Sequence, residues 1–175
     1  AHQVSLKNYG NDVYIRGLIE FTNYCVRHCR YCGIRSENDN AERYRLTKQE
    51  ILDCAILGDK LGYKTYVLQG GEDPYYTDEV LIDIIKSIKK LFPDNAITLS
   101  VGERNYESYK ALYDAGADRY LIRHETATRE IYQNLHPKAS FDNRRKCLQN
   151  LKEIGYQIGA GFMVGLPGET TRDLV

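Results

Sequence analysis

The sequence predicts an α/β protein built as a parallel (β/α) TIM-type barrel, present as an incomplete barrel of about five to six βα units. The first observation is a short pattern of apolar residue, glycine, any residue and polar residue, which recurs at Gly62, Gly116 and Gly155 before strand-like runs. A glycine at this place readily adopts the left-handed conformation that ends many helices, so each copy indicates a helix passing quickly into a strand. The second observation is the alternation of helical stripes with such runs, which favours parallel strands joined by helical crossovers.

Four helices are predicted from their start signals and apolar stripes. Thr47 and Glu50 have the spacing of a capping box, and Thr77 caps a second helix. The predicted buried face of that second helix consists of Val80, Leu81, Ile84, Ile85, Ile88 and Leu91. We expect a third helix from about Asn105 to Ala115 and a fourth from about Ser140 to Ile154.

Five strands are predicted between these helices, near Val13–Phe21, Thr65–Gln69, Ala96–Val101, Arg119–Arg123 and Gln157–Met163. Doubly wound sheets and barrels both show this alternation. The density of strands in 175 residues matches that of an eight-stranded barrel, which takes about 250 residues. Because the last residues also read as part of a helix, we expect residues 1–175 to form one core domain, the amino-terminal part of a barrel in a longer protein.

Composition and charge argue against several classes of function. The 24 basic and 24 acidic side chains cancel, which gives no reason to expect a nucleic-acid or membrane partner. No apolar run reaches the roughly 18 residues of a transmembrane helix, and no apolar signal segment opens the chain. The five cysteines include three close together, a pattern typical of a reduced, cytoplasmic protein with a metal site. The other two, Cys54 and Cys147, lie on predicted helix faces and are interpreted as buried structural thiols.

Polar residues and glycines follow four successive predicted strands. Thr22-Asn23 follows the first strand, Gln69–Asp73 comes after the second, the third ends with Thr98–Glu103 and the fourth with Arg123–Thr126. In parallel α/β folds the carboxyl ends of the strands converge on one face, where active sites lie. The sequence therefore predicts a functional site on that face.

A cysteine-rich loop directly after the first strand is the strongest chemical signal. Cys25, Cys29 and Cys32 form a C-x3-C-x2-C run whose three thiolates can surround one metal centre. A [4Fe–4S] cluster needs one ligand per iron, so three cysteines leave one iron open to a ligand from outside the protein. The alternative is a zinc site with His28 or a distant residue as fourth ligand, although tetrahedral zinc sites usually pair two cysteine clips.

The cysteine run, with Tyr31 at its aromatic position, resembles the signature of the radical S-adenosylmethionine (SAM) superfamily. Gly70-Gly71-Glu72 is similar to the motif with which that superfamily holds the SAM amino group, and a glycine pair lets the backbone approach a ligand closely. The resemblance implies a [4Fe–4S] cluster and SAM as cofactors. It also implies a reaction in which the reduced cluster cleaves SAM to methionine and a 5′-deoxyadenosyl radical.

Within the superfamily, the chain resembles the HydE-type maturases of [FeFe]-hydrogenase over nearly its whole length. The segments that carry this resemblance are Phe21–Cys25, Arg43–Thr47, Val67–Tyr76, Arg119–Thr126 and Val164–Gly168. It implies a small-molecule substrate, a role in assembling the hydrogenase cofactor, and other maturation proteins as partners. Methylornithine synthase, an amino-acid mutase, is the runner-up. Biotin synthase-like sulfur insertion and a non-enzymatic zinc-binding domain are further alternatives.

The resemblance also implies roles for individual residues. The cluster would be held by Cys25, Cys29 and Cys32. The residues implied for SAM binding are Tyr31, Gln69, Gly70, Gly71, Glu72, Glu125 and Arg144. The positions that match substrate contacts inside the barrel are Thr98, Ser100 and Arg123.

Several of these residues have structural alternatives. Glu125 and Arg144 could form an ion pair, and an inward-facing Arg123 could pair with Glu103 or Glu125 instead of a ligand. Thr98 could reflect strand propensity alone.

Other polar residues near the cysteines are given no ligand role. His28 and His124 are not expected to bind the cluster, and His136 is a loop residue with no evident task. The basic residues are interpreted as countercharges for thiolates rather than as a nucleic-acid patch. They are Arg27, Arg30, Arg35, Arg43 and Arg45.

Overall fold

A five-stranded parallel sheet organises the computed structural model, which describes residues 1–174. Its strands are β1 Gly17–Thr22, β2 Thr65–Gly70, β3 Ala96–Ser100, β4 Arg119–Leu121 and β5 Gln157–Gly159. They lie side by side in chain order, and every neighbouring pair is parallel. Because the order never reverses, the sheet is that of a barrel and not of a doubly wound fold. The predicted fold class, a partial parallel (β/α) barrel, is confirmed.

The helices are α1 His2–Tyr9, α2 Lys48–Lys60, α3 Asp78–Leu91, α4 Tyr106–Asp114, α5 Arg129–Leu135 and α6 Phe141–Ile154, with a 3-10 turn at Thr171–Leu174. The four predicted helices correspond to α2, α3, α4 and α6 and begin at their predicted caps. The three repeat glycines all have positive φ, as the pattern predicts. Helices α1 and α5 were not predicted from the sequence. Helix α1 buries no residue, and the seven-residue α5 lacks a side-chain cap.

Alternate residues of each strand face the helices or the barrel interior. The helix-facing positions are buried and apolar: Ile19, Phe21, Tyr66, Leu68, Ile97, Leu99 and Tyr120. The register places Leu18, Val67, Thr98 and Arg119 side by side in one inner layer. Glu20, Gln69 and Ser100 form the next inner layer, nearer the carboxyl ends. The side chains of the inner face are therefore mostly polar toward the end where the site lies.

Some local predictions were wrong. Leu91, predicted to be buried, is 48% exposed and is the last residue of α3. Cys54 is exposed, whereas Cys147 is buried as predicted. Strand β1 begins at Gly17, and the apolar residues at 13–15 before it are exposed. Within residues 1–174, we find no helix long and apolar enough to cross a membrane.

The capping box of α2 gives a stability prediction. The Thr47 side chain accepts a hydrogen bond from the Glu50 amide, and the Glu50 carboxylate accepts one from the Thr47 amide at 2.7 Å. Replacing Thr47→Ala should lower the free energy of unfolding by about 1 kcal/mol, because a helix-end amide loses its acceptor. Thr47→Ser keeps the acceptor and is the control. Equal denaturant midpoints for all three proteins would contradict the capping role.

Candidate functional site

A cavity of about 300 Å³ opens at the carboxyl ends of the first four strands. It is lined by twelve of the thirteen predicted site residues: Cys25, Cys29, Tyr31, Cys32, Gln69, Gly70, Gly71, Glu72, Ser100, Arg123, Glu125 and Arg144. The thirteenth, Thr98, lies one inner layer deeper, beside a second cavity shared with Val67 and Arg119. Its buried hydroxyl finds no hydrogen-bond partner among residues 1–174. Residues far apart in sequence thus meet on one face, and only Thr98 lies apart from them.

The start of the cysteine loop lies in close contact with the end of β2. A Cβ atom on Gly71 would lie 2.6 Å from Cβ of Cys25 and would overlap the Tyr24 carbonyl oxygen. The Glu72 amide donates to Cys25 Sγ at 3.4 Å, and the Val26 amide donates to the Glu72 carbonyl at 3.0 Å. Glycine is therefore required at position 71 by space, and its absence of a side chain brings Glu72 next to the first cysteine.

Arg43 closes the same loop from its other side. Its guanidinium donates to the carbonyl oxygens of Asn23 at 2.5 Å, Ile34 at 2.9 Å, Arg35 at 2.8 Å and Asn38 at 3.2 Å. Arginine presents five N–H donors in a fixed fork, so one side chain can gather carbonyls from both ends of the cysteine run. Arg43, which the sequence predicts to be a countercharge for the thiolates, therefore holds the loop backbone in place through hydrogen bonds.

Four charged side chains, which we call the charge network, alternate in sign: Glu72, Arg27, Glu103 and Arg144. Glu72, Arg27 and Arg144 line the cavity, and Glu103 lies behind them. Arg27 Nε lies 2.6 Å from Glu72 Oε2, and Arg27 Nη2 lies 3.1 Å from Glu103 Oε2. Arg144 Nε lies 2.6 Å from Glu103 Oε1. The Glu103 amide also donates to Glu72 Oε1 at 3.1 Å. Each buried charge therefore has an opposite charge beside it, as burial requires.

Burial and ion pairing shift the pKa values of the charged groups in this site in opposite directions. Burial raises the pKa of Glu72, and the charge of Arg27 opposes that rise. Burial, the largest single effect, works to lower the pKa of Arg144, but the hydrogen bond to Glu103 and the nearby negative charges together outweigh burial, and the pKa is raised. Burial also raises the pKa of the Cys25 and Cys29 thiols. A metal centre bound by these thiols would have to displace their protons.

Glu125 is held in an unusual backbone conformation. Its φ of 64° lies in the left-handed region, which non-glycine residues rarely adopt. Its amide donates to the Gly161 carbonyl at 3.0 Å, and its carbonyl accepts from the Met163 amide at 2.8 Å. The carboxylate accepts a hydrogen bond from the Tyr31 hydroxyl at 3.1 Å. Backbone strain of this kind clusters at functional sites, where the surroundings fix it.

The structure decides between several alternatives left by the sequence. Arg144 pairs with Glu103 and not with Glu125, so the proposed Glu125–Arg144 ion pair does not form. Arg123 is exposed in the cavity and makes no ion pair within residues 1–174. Glu103 was considered only as a partner of Arg123, and its role between two arginines was missed. Its position directly after a glycine at a strand end was the available signal.

The chemistry of the three thiols matches the donor set of a four-iron cluster that keeps one iron open. In the part of the chain that the structure describes, no three His, Cys, Asp or Glu side chains are grouped closely enough to hold a single metal ion. A zinc ion with Zn–S bonds of about 2.3 Å would need its thiolates within about 4 Å of one another. His28 instead faces Glu37, with Nδ1 2.8 Å from Oε1. A cluster assigns each thiolate to its own iron, and the amides of Arg27 and Glu72 are already directed at Cys25 Sγ.

Asp73, directly after Glu72, accepts four hydrogen bonds from residues beside the site. Its carboxylate receives two hydrogen bonds from Arg45, at 2.7 and 3.0 Å. It also accepts from the Thr22 hydroxyl at 2.8 Å and from the Tyr75 amide at 3.1 Å. Burial works to raise the pKa of Asp73, but these hydrogen bonds together hold it below its usual value.

Replacing Asp73→Asn should lower the free energy of unfolding near pH 7 by about 1–3 kcal/mol. Because the folded-state pKa of Asp73 is lowered, its stabilisation is present above the unfolded-state value of about 3.9. It is lost as pH falls through the folded-state value. Denaturant unfolding should therefore show the gap between the two proteins narrowing below about pH 4. Asp39→Asn, at an exposed position, is the control, and a gap independent of pH would contradict this account.

Comparisons with known proteins place the chain in one family. A family model described as the Radical SAM superfamily matches residues 19–175. The [FeFe] hydrogenase maturase subunit HydE of Thermotoga maritima is 52% identical over 175 residues, which cover 100% of this chain and 50% of that protein. The chain thus spans about half the length of this curated relative.

The chain is also similar in fold to solved structures. Methylornithine synthase (PylB) matches with a TM-score of 0.91 at 27% identity, covering 98% of this chain and 51% of that one. The FeFe-hydrogenase maturase HydG from Carboxydothermus hydrogenoformans matches with a TM-score of 0.88 at 27% identity, covering 98% and 41%. With a family match from the first strand to the last residue, and a cysteine loop placed where that family's signature predicts it, the chain belongs to the radical SAM superfamily.

Proposed function

We propose that this chain is the cluster- and SAM-binding part of a radical SAM enzyme, and that the whole protein assists assembly of the [FeFe]-hydrogenase cofactor. The observation that carries the proposal is one cavity lined by three thiols, a glycine-rich strand end and three members of the charge network, Arg27, Glu72 and Arg144. The maturase assignment is supported by the 52% identity to HydE. Partner maturation proteins and a small-molecule substrate belong to the same proposal.

The chain's own residues would position the reactants. Cys25, Cys29 and Cys32 would hold a [4Fe–4S] cluster with one iron left open. When bound, the cluster supplies the electron that cleaves SAM to methionine and a 5′-deoxyadenosyl radical. Glu72 would accept hydrogen bonds from the SAM amino group, beside the close-packed backbone of Gly71.

Arg144 is suited to a carboxylate. Its Nε is held by Glu103, and Nη1 donates to the Arg123 carbonyl. Nη2 makes no hydrogen bond within residues 1–174, so it is available to an anionic group of SAM. Because two of its nitrogens are fixed, little side-chain freedom would be lost when it binds such a group. Glu125, Tyr31, Gln69 and Gly70 would complete the SAM contacts.

The substrate would lie deeper in the barrel than SAM. Arg123 lines the cavity, makes no ion pair among the described residues, and suits a carboxylate or another anion. Ser100 lies in the same inner layer as Gln69, and the Thr98 hydroxyl lies one layer deeper. Enclosure within the barrel would exclude water and hold the substrate within reach of the radical.

A methylornithine synthase-like mutase is the second candidate. The TM-score of 0.91 to methylornithine synthase favours it, since its fold matches 98% of this chain. Both candidates would use the same cluster and SAM residues, so they differ in substrate alone.

The test is reductive SAM cleavage by the full-length protein after anaerobic reconstitution with iron and sulfide. With dithionite and SAM, we expect 5′-deoxyadenosine and methionine in equal amounts. Cys25→Ser should abolish both products, because one iron loses its thiolate. Cys54→Ser removes an exposed thiol outside the cavity and should leave cleavage unchanged. Absence of 5′-deoxyadenosine from a fully loaded wild-type protein would contradict the proposal, and conversion of added lysine to an isomer of equal mass would favour the mutase.

Gly71→Ala tests the close approach between the cysteine loop and β2. The added Cβ would displace the loop at Cys25, so we expect a loss of more than half of the iron bound per chain after reconstitution. Gly33→Ala is a matched control in the same loop, because a Cβ there meets no atom within 4 Å. Equal iron content in the two variants would contradict the required approach.

A further inference from the structure

The segment between the second and third cysteines is docked on the end of α5. Tyr31 Oη lies 2.9 Å from His136 Nε2, and the two rings meet edge to face with centroids 5.4 Å apart. Next to it, the Arg30 amide donates to the Leu135 carbonyl at 3.0 Å. One backbone contact and one side-chain contact thus join the cysteine loop to the residues that end this helix.

His136 is itself rigidly held. It is 2% exposed, and its ring stacks on Tyr132 with centroids 4.2 Å apart. Its Nδ1 lies 3.1 Å from the Tyr132 carbonyl oxygen, which can only accept, so Nδ1 carries the proton. In the neutral imidazole, Nε2 is then an acceptor facing the Tyr31 hydroxyl. Burial lowers the pKa of His136, which favours this neutral form.

The Tyr31 hydroxyl has one proton and two acceptors. It lies 3.1 Å from Glu125 Oε1 and 2.9 Å from His136 Nε2, and it can donate fully to only one of them. Glu125 lines the main cavity, where a ligand can compete for its carboxylate, whereas His136 does not line that cavity. When Glu125 is engaged by a ligand, His136 is the acceptor that remains for Tyr31.

We propose that His136 is a positioning residue that anchors the segment from Cys29 to Cys32 through the Tyr31 hydroxyl. It holds this segment on α5 and keeps it there when the Glu125 carboxylate turns to a ligand. The inference rests on the proposed function for the role of the cysteines, and it gives a task to a residue that the sequence left without one. It also explains why a tyrosine, rather than phenylalanine, fills the aromatic position of this chain.

The test is the rate at which reconstituted full-length protein loses iron to an external chelator under anaerobic conditions. Loss of the anchoring hydrogen bond should make iron loss about threefold to tenfold faster in His136→Leu and in Tyr31→Phe. The double variant should lose iron no faster than Tyr31→Phe, because both substitutions remove the same contact. His136→Gln, whose side-chain carbonyl can accept the hydroxyl, should restore most of the wild-type rate.

Tyr113→Phe is the control, because the Tyr113 hydroxyl makes no hydrogen bond within residues 1–174 and lies on α4. Wild-type rates in both single variants, or additive rates in the double variant, would overturn the anchor. Tyr31→Phe keeps the test decisive if His136→Leu folds poorly. A wild-type protein that takes up no iron would overturn the proposed function and this inference together, whereas a stable wild-type cluster with unchanged variants would overturn the inference alone.

Discussion

The close contact between Gly71 and the start of the cysteine loop is the constraint on which the rest of the site depends. No side chain fits between this backbone and Cys25, so the residue that follows β2 packs directly against the residues that carry the first thiol. The amide and carboxylate of Glu72 are thereby carried to the cysteine loop, one toward Cys25 Sγ and the other toward Arg27. The lack of a side chain at Gly71 thus sets the distance between the first thiol and the residues that face it.

The charge network extends this constraint across the sheet. Arg27 comes from the cysteine loop, Glu72 from the end of β2, Glu103 from beyond β3, and Arg144 from α6. The network contains two positive and two negative side chains. Buried ion pairs of this kind add little net stability, because the cost of desolvating the charges offsets their attraction. Their effect is on position, since each side chain is fixed by the next. The loop that carries the thiols is therefore connected through Glu103 to the arginine that faces the cavity.

Local features of this fold were predictable because they depend on neighbours in sequence. Thr47, Thr77 and the repeat glycines mark helix ends through contacts within a few residues, and apolar spacing gave the buried faces. Contacts across the sheet were not predictable in this way: Tyr31 and His136 are 105 residues apart, and their meeting depends on strand register and the course of α5. Strand register also places Thr98, two residues before Ser100, one layer below the main cavity.

The proposed function depends on a cluster that three thiols hold and whose fourth iron is open to SAM. The most direct measurement is electron paramagnetic resonance of the dithionite-reduced, reconstituted full-length protein, recorded with and without SAM. We expect the signal of a reduced [4Fe–4S] cluster whose g values change when SAM is added, because a new ligand binds the open iron. A cluster signal that is identical with and without saturating SAM would contradict the proposed function.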